Sequence, residues 1–382
     1  MWTDFTDSQH VVMVLTIIIN KRRFEVMSNP APRSARTLPT LAALATIGAG
    51  ALVLSGCASP AASGEAQGVQ IVATTTQVGD FVHELVGDDA EVTQLLSPGQ
   101  SAHSFDPSAA QLLALADADA VVMNGAGLES WLDDALQASG FDGVLIDAST
   151  GIELFATDDH DHDHGDEAAT DDHADSATEA APDDHHGHDH GAGNPHIWTD
   201  PELAEDMVEN IADGLAGLQG VDTAALDAAE TAYLARLHDL DAWIEQSVDQ
   251  VPAAERLLVT NHDAFTYYVD AYGLVFVGSV IPSFDDNAEP SAAEIDELVA
   301  AITATGTKAV FSEASLSPKA AEAIAREAGV TVYSGPDALY GDSLGEAGTE
   351  GATYLGSQIH NTRLIVESWG VEPSTLPASL QG

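Results

Sequence analysis

From Val69 onward, short apolar runs rich in β-branched residues alternate with segments whose apolar positions recur every three or four residues. In the first series, Ile71–Thr75 reads as a strand followed by a helix over about Val78–Val86. Then come Glu91–Leu96 with Ser108–Leu115, Ala120–Met123 with Glu129–Ala138, and Val144–Ile146. A second series pairs Arg256–Val259 with Asp263–Ala271, Leu274–Val277 with Ala292–Thr303, and Ala309–Phe311 with Pro318–Glu327; it closes on Thr331–Tyr333 and a helix over about Thr353–Ser368. Strand–helix alternation of this kind feeds mainly parallel sheets. The predicted fold class is therefore α/β, with two (β/α) lobes.

Between the two series, Leu226, Tyr233, Leu237, Leu240, Ile244 and Val248 fall at spacings of seven, four and three. That places one apolar stripe on a helix over about Asp222–Gln250. At 1.5 Å per residue it spans roughly 40 Å, enough to run along both lobes. A single rigid helix as the only crossover restricts hinge motion between them.

The N-terminus carries a different pattern. Residues 38–56 are mostly apolar, follow Arg33 and Arg36, and end in Leu54-Ser55-Gly56-Cys57. This resembles a bacterial lipoprotein signal, cleaved before a cysteine that receives lipid; the small residues ahead of Cys57 suit a signal peptidase better than a membrane span. The resemblance implies an extracytoplasmic protein anchored by Cys57 to the outer face of the cell membrane. Residues 1–26 fit no such signal, because their apolar run precedes its basic cluster, so Met27 reads as the start of translation. The expected organisation is a signal region 1–56, a flexible tether 57–68, a first lobe 69–221, a linker helix 222–250 and a second lobe 251–382.

Charge narrows the partners. The chain has 11 Lys and Arg against 62 Asp and Glu, and five of the basic residues lie before Cys57. A surface this negative repels phosphate backbones, which excludes nucleic acid and favours cations. With Cys57 as the only cysteine, a metal site must use imidazole, carboxylate or backbone oxygen.

Eight of the fifteen histidines (His160, His162, His164, His173, His185, His186, His188 and His190) lie in residues 158–190, interleaved with Asp and almost devoid of apolar residues. Such a segment cannot bury enough surface to fold and is expected to be a disordered insertion in the first lobe that binds metal weakly at many points. A solvated loop without a metal role is the bland alternative.

Six histidines remain outside that segment and the leader. His83, His238 and His360 sit within helical patterns, where a lone histidine is an ordinary surface or core side chain. His103, His196 and His262 lie at element ends: His103 in the turn-rich Ser97–Pro107, His196 ahead of Asp200 and Pro201, which read as N-cap and first residue of a helix, and His262 directly after a strand. In α/β proteins ligand groups gather outside the carboxyl ends of strands, so these three make a metal corner.

The motifs PGQSAHSFDPS, NPHIWTDP, TNHDAFTYY and GDSLGE, in this order around an acidic His-rich loop, resemble the zinc-binding proteins of ABC importers, the ZnuA-like cluster A-I family, over Val69–Gly370. The resemblance implies metal in the inter-lobe cleft, with His103 and His196 from the first lobe and His262 from the second as ligands. It also implies Asp342 as the fourth ligand, although some members use water there, and turn capping beside Ser343 is the alternative reading. Three imidazoles and a carboxylate suit tetrahedral Zn(II), whereas manganese prefers more oxygen. In manganese-binding relatives a glutamate stands where this chain has His262. Glu313, in FSEASLSP, resembles a recurrent acidic position able to orient an imidazole.

The implied function is capture of Zn(II) and delivery to the permease of a zinc importer by a monomeric, lipid-anchored protein that is not an enzyme. A manganese importer component, a surface metal buffer or adhesin working through the His-rich loop, and a zinc hydrolase are the competing readings; the last lacks an HExxH motif.

Overall fold

The computed structural model describes residues 68–155, 193–286 and 288–381. The leader, Cys57 and its tether, and the His/Asp-rich segment lie outside the described residues.

The first lobe is built on a four-stranded parallel sheet. Its strands β1 (Val69–Ala73), β2 (Ala90–Gln94), β3 (Ala120–Met123) and β4 (Val144–Asp147) lie in the order β2-β1-β3-β4. The crossovers are α1 (Thr76–Val86), α2 (Ala109–Asp117) and α3 (Leu132–Ser139). Because the strand order reverses between β1 and β3, their carboxyl ends open a crevice there. Local chemistry starts the helices: the Thr75 hydroxyl caps α1, and Ser108 with Gln111 forms a capping box on α2.

After β4 the described chain resumes at Gly193, makes a short 3-10 turn at Ile197–Thr199 and enters α4 (Pro201–Ala216). Asp200 caps this helix and Pro201 opens it, as the sequence predicts. The long helix α5 (Thr223–Val248) follows, and all six residues of its predicted stripe are buried, together with Trp243. At 1.5 Å per residue its length is about 39 Å.

In the second lobe β5 (Leu257–Thr260) pairs in parallel with β6 (Val275–Ser279), and β7 (Ala309–Phe311) with β8 (Thr331–Tyr333); β5 and β7 lie side by side. The helices are α6 (Thr266–Ala271), α7 (Ala292–Thr305), α8 (Lys319–Ala328) and α9 (Tyr354–Ser368).

One continuous core joins the first sheet, α1, α4, α5 and α9, while a smaller one (Val259, Val280, Leu298, Ile302, Val310, Ile324) fills the space between the two strand pairs of the second lobe and α7 and α8. Helix α9, last in the chain, thus packs into the same core as the first lobe: Tyr354 N–H donates to the Asp80 carboxylate on α1 at 2.8 Å, and the Tyr354 hydroxyl donates to Trp198 O at 2.7 Å. Each fully buried Leu, Ile or Tyr of α5 contributes roughly 1.5–3 kcal/mol, so parting the lobes along this seam is costly.

Two helices start three residues later than the sequence pattern predicts. Helix α3 starts at Leu132 rather than Glu129, because the Glu129 carboxylate turns inward to accept from Asn124 N, Gly125 N and the Thr74 hydroxyl. Helix α6 starts at Thr266 rather than Asp263, because Asp263 N donates to Ser283 O and Asp263 O accepts from Asn194 Nδ2. Tertiary hydrogen bonds take these residues out of the helical ladder.

Candidate metal centre

His103 comes from the loop after β2, His196 from the turn ahead of α4, His262 from the residues after β5, and Asp342 from the loop between β8 and α9. They are far apart in sequence, yet one donor atom from each lies within 4.8 Å of the others. His196 Nε2 stands 3.2 Å from His103 Nε2, 3.3 Å from His262 Nε2 and 3.0 Å from Asp342 Oδ1. Asp342 Oδ1 is 3.3 Å from His262 Nε2, and Oδ2 is 3.7 Å from His103 Nε2. Four donors placed about 2.0 Å from a tetrahedral zinc stand about 3.3 Å apart, and these five separations span 3.0–3.7 Å.

His196, His262 and Asp342 are completely buried, and the His103 side chain is only 7% exposed. Neither Asp342 oxygen makes a hydrogen bond, and what faces them is imidazole nitrogen. A carboxylate at this depth, faced by imidazole nitrogen alone, is costly unless a positive charge compensates it. Its oxygens do not cap the turn beside Ser343.

Electrostatics divide the imidazoles. Burial pushes the His196 pKa down to about 4, against the pull of Asp342, so this ring is neutral at pH 7. Burial acts on His262 in the same direction, but the carboxylates of Glu313 and Asp342 outweigh it and hold this imidazole well above its ordinary value. Burial would raise Asp342, yet the facing His262 and His196 hold its carboxyl well below the usual range. Without metal, His262 is thus a protonated ring between two carboxylates.

Each inward imidazole is held from behind. Glu313 Oε1 accepts from His262 N at 3.0 Å and from Nδ1 at 2.8 Å, the orienting role its motif suggests. Asn194 Oδ1 accepts from His196 N at 3.1 Å and lies 2.6 Å from Nδ1. The Trp198 ring sits against His196, with centroids 5.1 Å apart.

The Asp342 segment hangs on the first lobe. Gly341 O accepts from Gln77 Nε2 at 3.0 Å and Trp198 Nε1 at 3.1 Å, Leu344 N donates to the Thr76 hydroxyl at 2.8 Å, and Gly99 N donates to the Ser343 hydroxyl at 2.7 Å. Glycine at 341 leaves room for the Glu313 carboxylate, because a Cβ there would run into Glu313 Oε2.

Of the site residues expected from sequence, the structure therefore brings together His103, His196, His262 and Asp342. Cys57 and the eight histidines of residues 158–190 lie outside the described residues. His83 and His238 are exposed on helices, and His360 is buried in α9 with Nε2 3.0 Å from Ala338 O, all in keeping with structural roles. Sequence reasoning assigned nothing to Asn194, Gln77, Trp198 or Glu129; only Asn194 carried a signal, standing two residues before a candidate ligand.

A family profile described as the periplasmic component A of zinc-uptake complexes, ZnuA, matches residues 71–368. The zinc-binding protein AdcA of Streptococcus pyogenes serotype M3 is 31% identical over 309 residues, which cover 80% of this chain and 57% of that protein. The chain thus spans little more than half the length of that relative. The manganese-binding lipoprotein MntA of Bacillus subtilis is 29% identical over 325 residues, covering 82% of this chain and 94% of MntA. The solved structure of the periplasmic zinc binding protein TroA from Treponema pallidum superposes with a TM-score of 0.66 at 25% identity, covering 79% of this chain and 99% of that one.

Proposed function

Because the chain belongs to the zinc-uptake component A family, we propose that it captures Zn(II) outside the cytoplasmic membrane with His103, His196, His262 and Asp342 and passes it to an ABC permease. The observation that carries this reading is the buried Asp342 carboxylate, without a hydrogen bond and faced by three imidazole Nε2 atoms. A divalent cation satisfies the oxygens and the nitrogen lone pairs at once. Three nitrogens with a carboxylate match the softness of zinc.

The remaining parts of the proposal rest on sequence. Lipid on Cys57 keeps a monomeric protein near its permease, and the acidic surface raises the local cation concentration. The His/Asp-rich segment collects metal weakly ahead of the tight site. The domain division at residues 222 and 250 belongs to the same proposal; the observed α5, Thr223–Val248, supports it. A hydrolytic centre would need an exchangeable position and a general base, whereas Asp342 fills the fourth corner.

Manganese is the second reading. Both Asp342 oxygens face the imidazoles, a set of up to three nitrogens and two oxygens, and one relative bears the name manganese-binding. Chelator competition and elemental analysis on a chain lacking residues 158–190, with zinc and manganese offered together, decide between them. One tightly held zinc per chain, lost in His262→Ala, is the expected result. Tight manganese supports the second reading, and no tight metal overturns both in favour of buffering by the His-rich segment.

A further inference from the structure

Asn194 is 5% exposed, and both polar atoms of its side chain are committed. Oδ1 faces His196 Nδ1 at 2.6 Å and also accepts from His196 N. Nδ2 lies 2.9 Å from Asp263 O and 3.0 Å from the Thr266 hydroxyl. The Thr266 hydroxyl in turn stands 2.7 Å from Asp263 Oδ1.

Donor and acceptor logic allows one arrangement. Asp263 O is a carbonyl and only accepts, so the amide nitrogen must face it. Thr266 gives its single proton to the Asp263 carboxylate and accepts from Asn194. The amide oxygen is then left toward His196, whose Nδ1 must carry the proton. His196 Nε2 is therefore a lone pair, and it points at His103, His262 and Asp342. The chain of bonds runs from Asp263, next to His262 in the second lobe, through Thr266 and Asn194 to His196 in the first.

We propose that Asn194 is a positioning residue that fixes the Nδ1–H tautomer of His196 and ties that imidazole to the segment carrying His262, so that the two ligands from the two lobes are set relative to each other before metal arrives. This rests on the metal-binding reading of the site for its purpose. Its geometry, however, is testable without metal. An imidazole in the other tautomer would aim an N–H at the cation position, and ligand-orienting partners of this kind are worth 10–100-fold in metal affinity.

The test uses the metal-free full chain with 15N-labelled histidine, His196 being assigned by its absence in H196Q. Long-range proton–nitrogen correlation should show His196 protonated at Nδ1; protonation at Nε2 in the wild-type protein overturns the proposal without any variant. Asn194→Leu should mix or reverse the tautomer and lower zinc affinity 10–100-fold, whereas Asn194→Asp, which keeps the acceptor, should retain the tautomer. An Asn194→Leu protein that folds, keeps Nδ1–H and binds zinc as the wild type does would also overturn it. Absence of zinc and manganese binding by the wild type would sink the proposed function instead, and the tautomer would still decide the role of Asn194.

Discussion

A single oxygen of Glu313 accepts from both the backbone N–H and the Nδ1–H of His262, at 3.0 and 2.8 Å, so the ring cannot rotate without losing a bond between two fully buried groups. The carboxylate both aims Nε2 and supplies the negative charge that holds the imidazole pKa high.

Glu313→Gln keeps the acceptor and should lower zinc affinity by about tenfold, whereas Glu313→Ala, which frees the ring, should cost about a hundredfold. Chelator competition on the two variants checks the order; equal affinities would show that orientation by Glu313 is irrelevant.

Loss of a ligand should cost more. Sharing the roughly 10–16 kcal/mol of a four-ligand zinc site among its members gives about 3 kcal/mol each, or at least a hundredfold in affinity. Asp342→Ala and His196→Ala should both show this, while His238→Ala, on the exposed face of α5, should leave affinity unchanged.

Zinc affinity should depend on pH above the ordinary imidazole range. His262 is raised well above its usual value in the metal-free protein, so below that raised pKa zinc must displace its proton. Affinity should therefore fall about tenfold per unit as pH drops, already between pH 7.5 and 6.5. His196, held near 4, adds no proton competition in that window. A flat profile there, measured by competition in matched buffers, would contradict the charged His262.

Glu129 predicts the opposite trend for stability. Burial pushes its pKa from 4.5 up to about 7, so the folded state holds a proton that the unfolded state has released. This group's stabilising share is present below pH 4.5 and is lost as pH rises through 7. Glu129→Gln should accordingly gain on the wild type by about 2–3 kcal/mol between pH 5 and pH 8, in urea unfolding of the metal-free protein.

Leu240 is fully buried in the middle of α5, within the core shared by both lobes. Leu240→Ala should destabilise the protein by about 2–5 kcal/mol, read as a lower denaturation midpoint with an unchanged slope. A change in slope instead would mean that the lobes unfold separately.

The periodic parts of this molecule were legible in its sequence. The α5 stripe, the strand–helix alternation and the cap at Asp200 are local signals, in which propensity and burial point the same way. The ends of α3 and α6 were not legible, because Glu129 and Asp263 are claimed by partners in other elements and no period records that. The four donor residues could be picked out because loops after strands concentrate function and because their motifs resemble a known family. The groups that suspend the Asp342 segment, Gln77 and Trp198, act through bonds spanning as many as 264 residues, as from Gln77 to Gly341, which leave no trace in local pattern.

The suspension of Gly341–Leu344 from Gln77, Thr76, Gly99 and Trp198 bears on anyone who recombines lobes between relatives. Chain order assigns Asp342 to the C-terminal half, but the hydrogen bonds that hold its neighbours Gly341, Ser343 and Leu344 belong to the N-terminal one. A chimaera cut at the long helix would inherit a foreign seat for this residue, whereas one that transplants residues 341–344 together with the first lobe keeps the donor and its mounting as a matched pair.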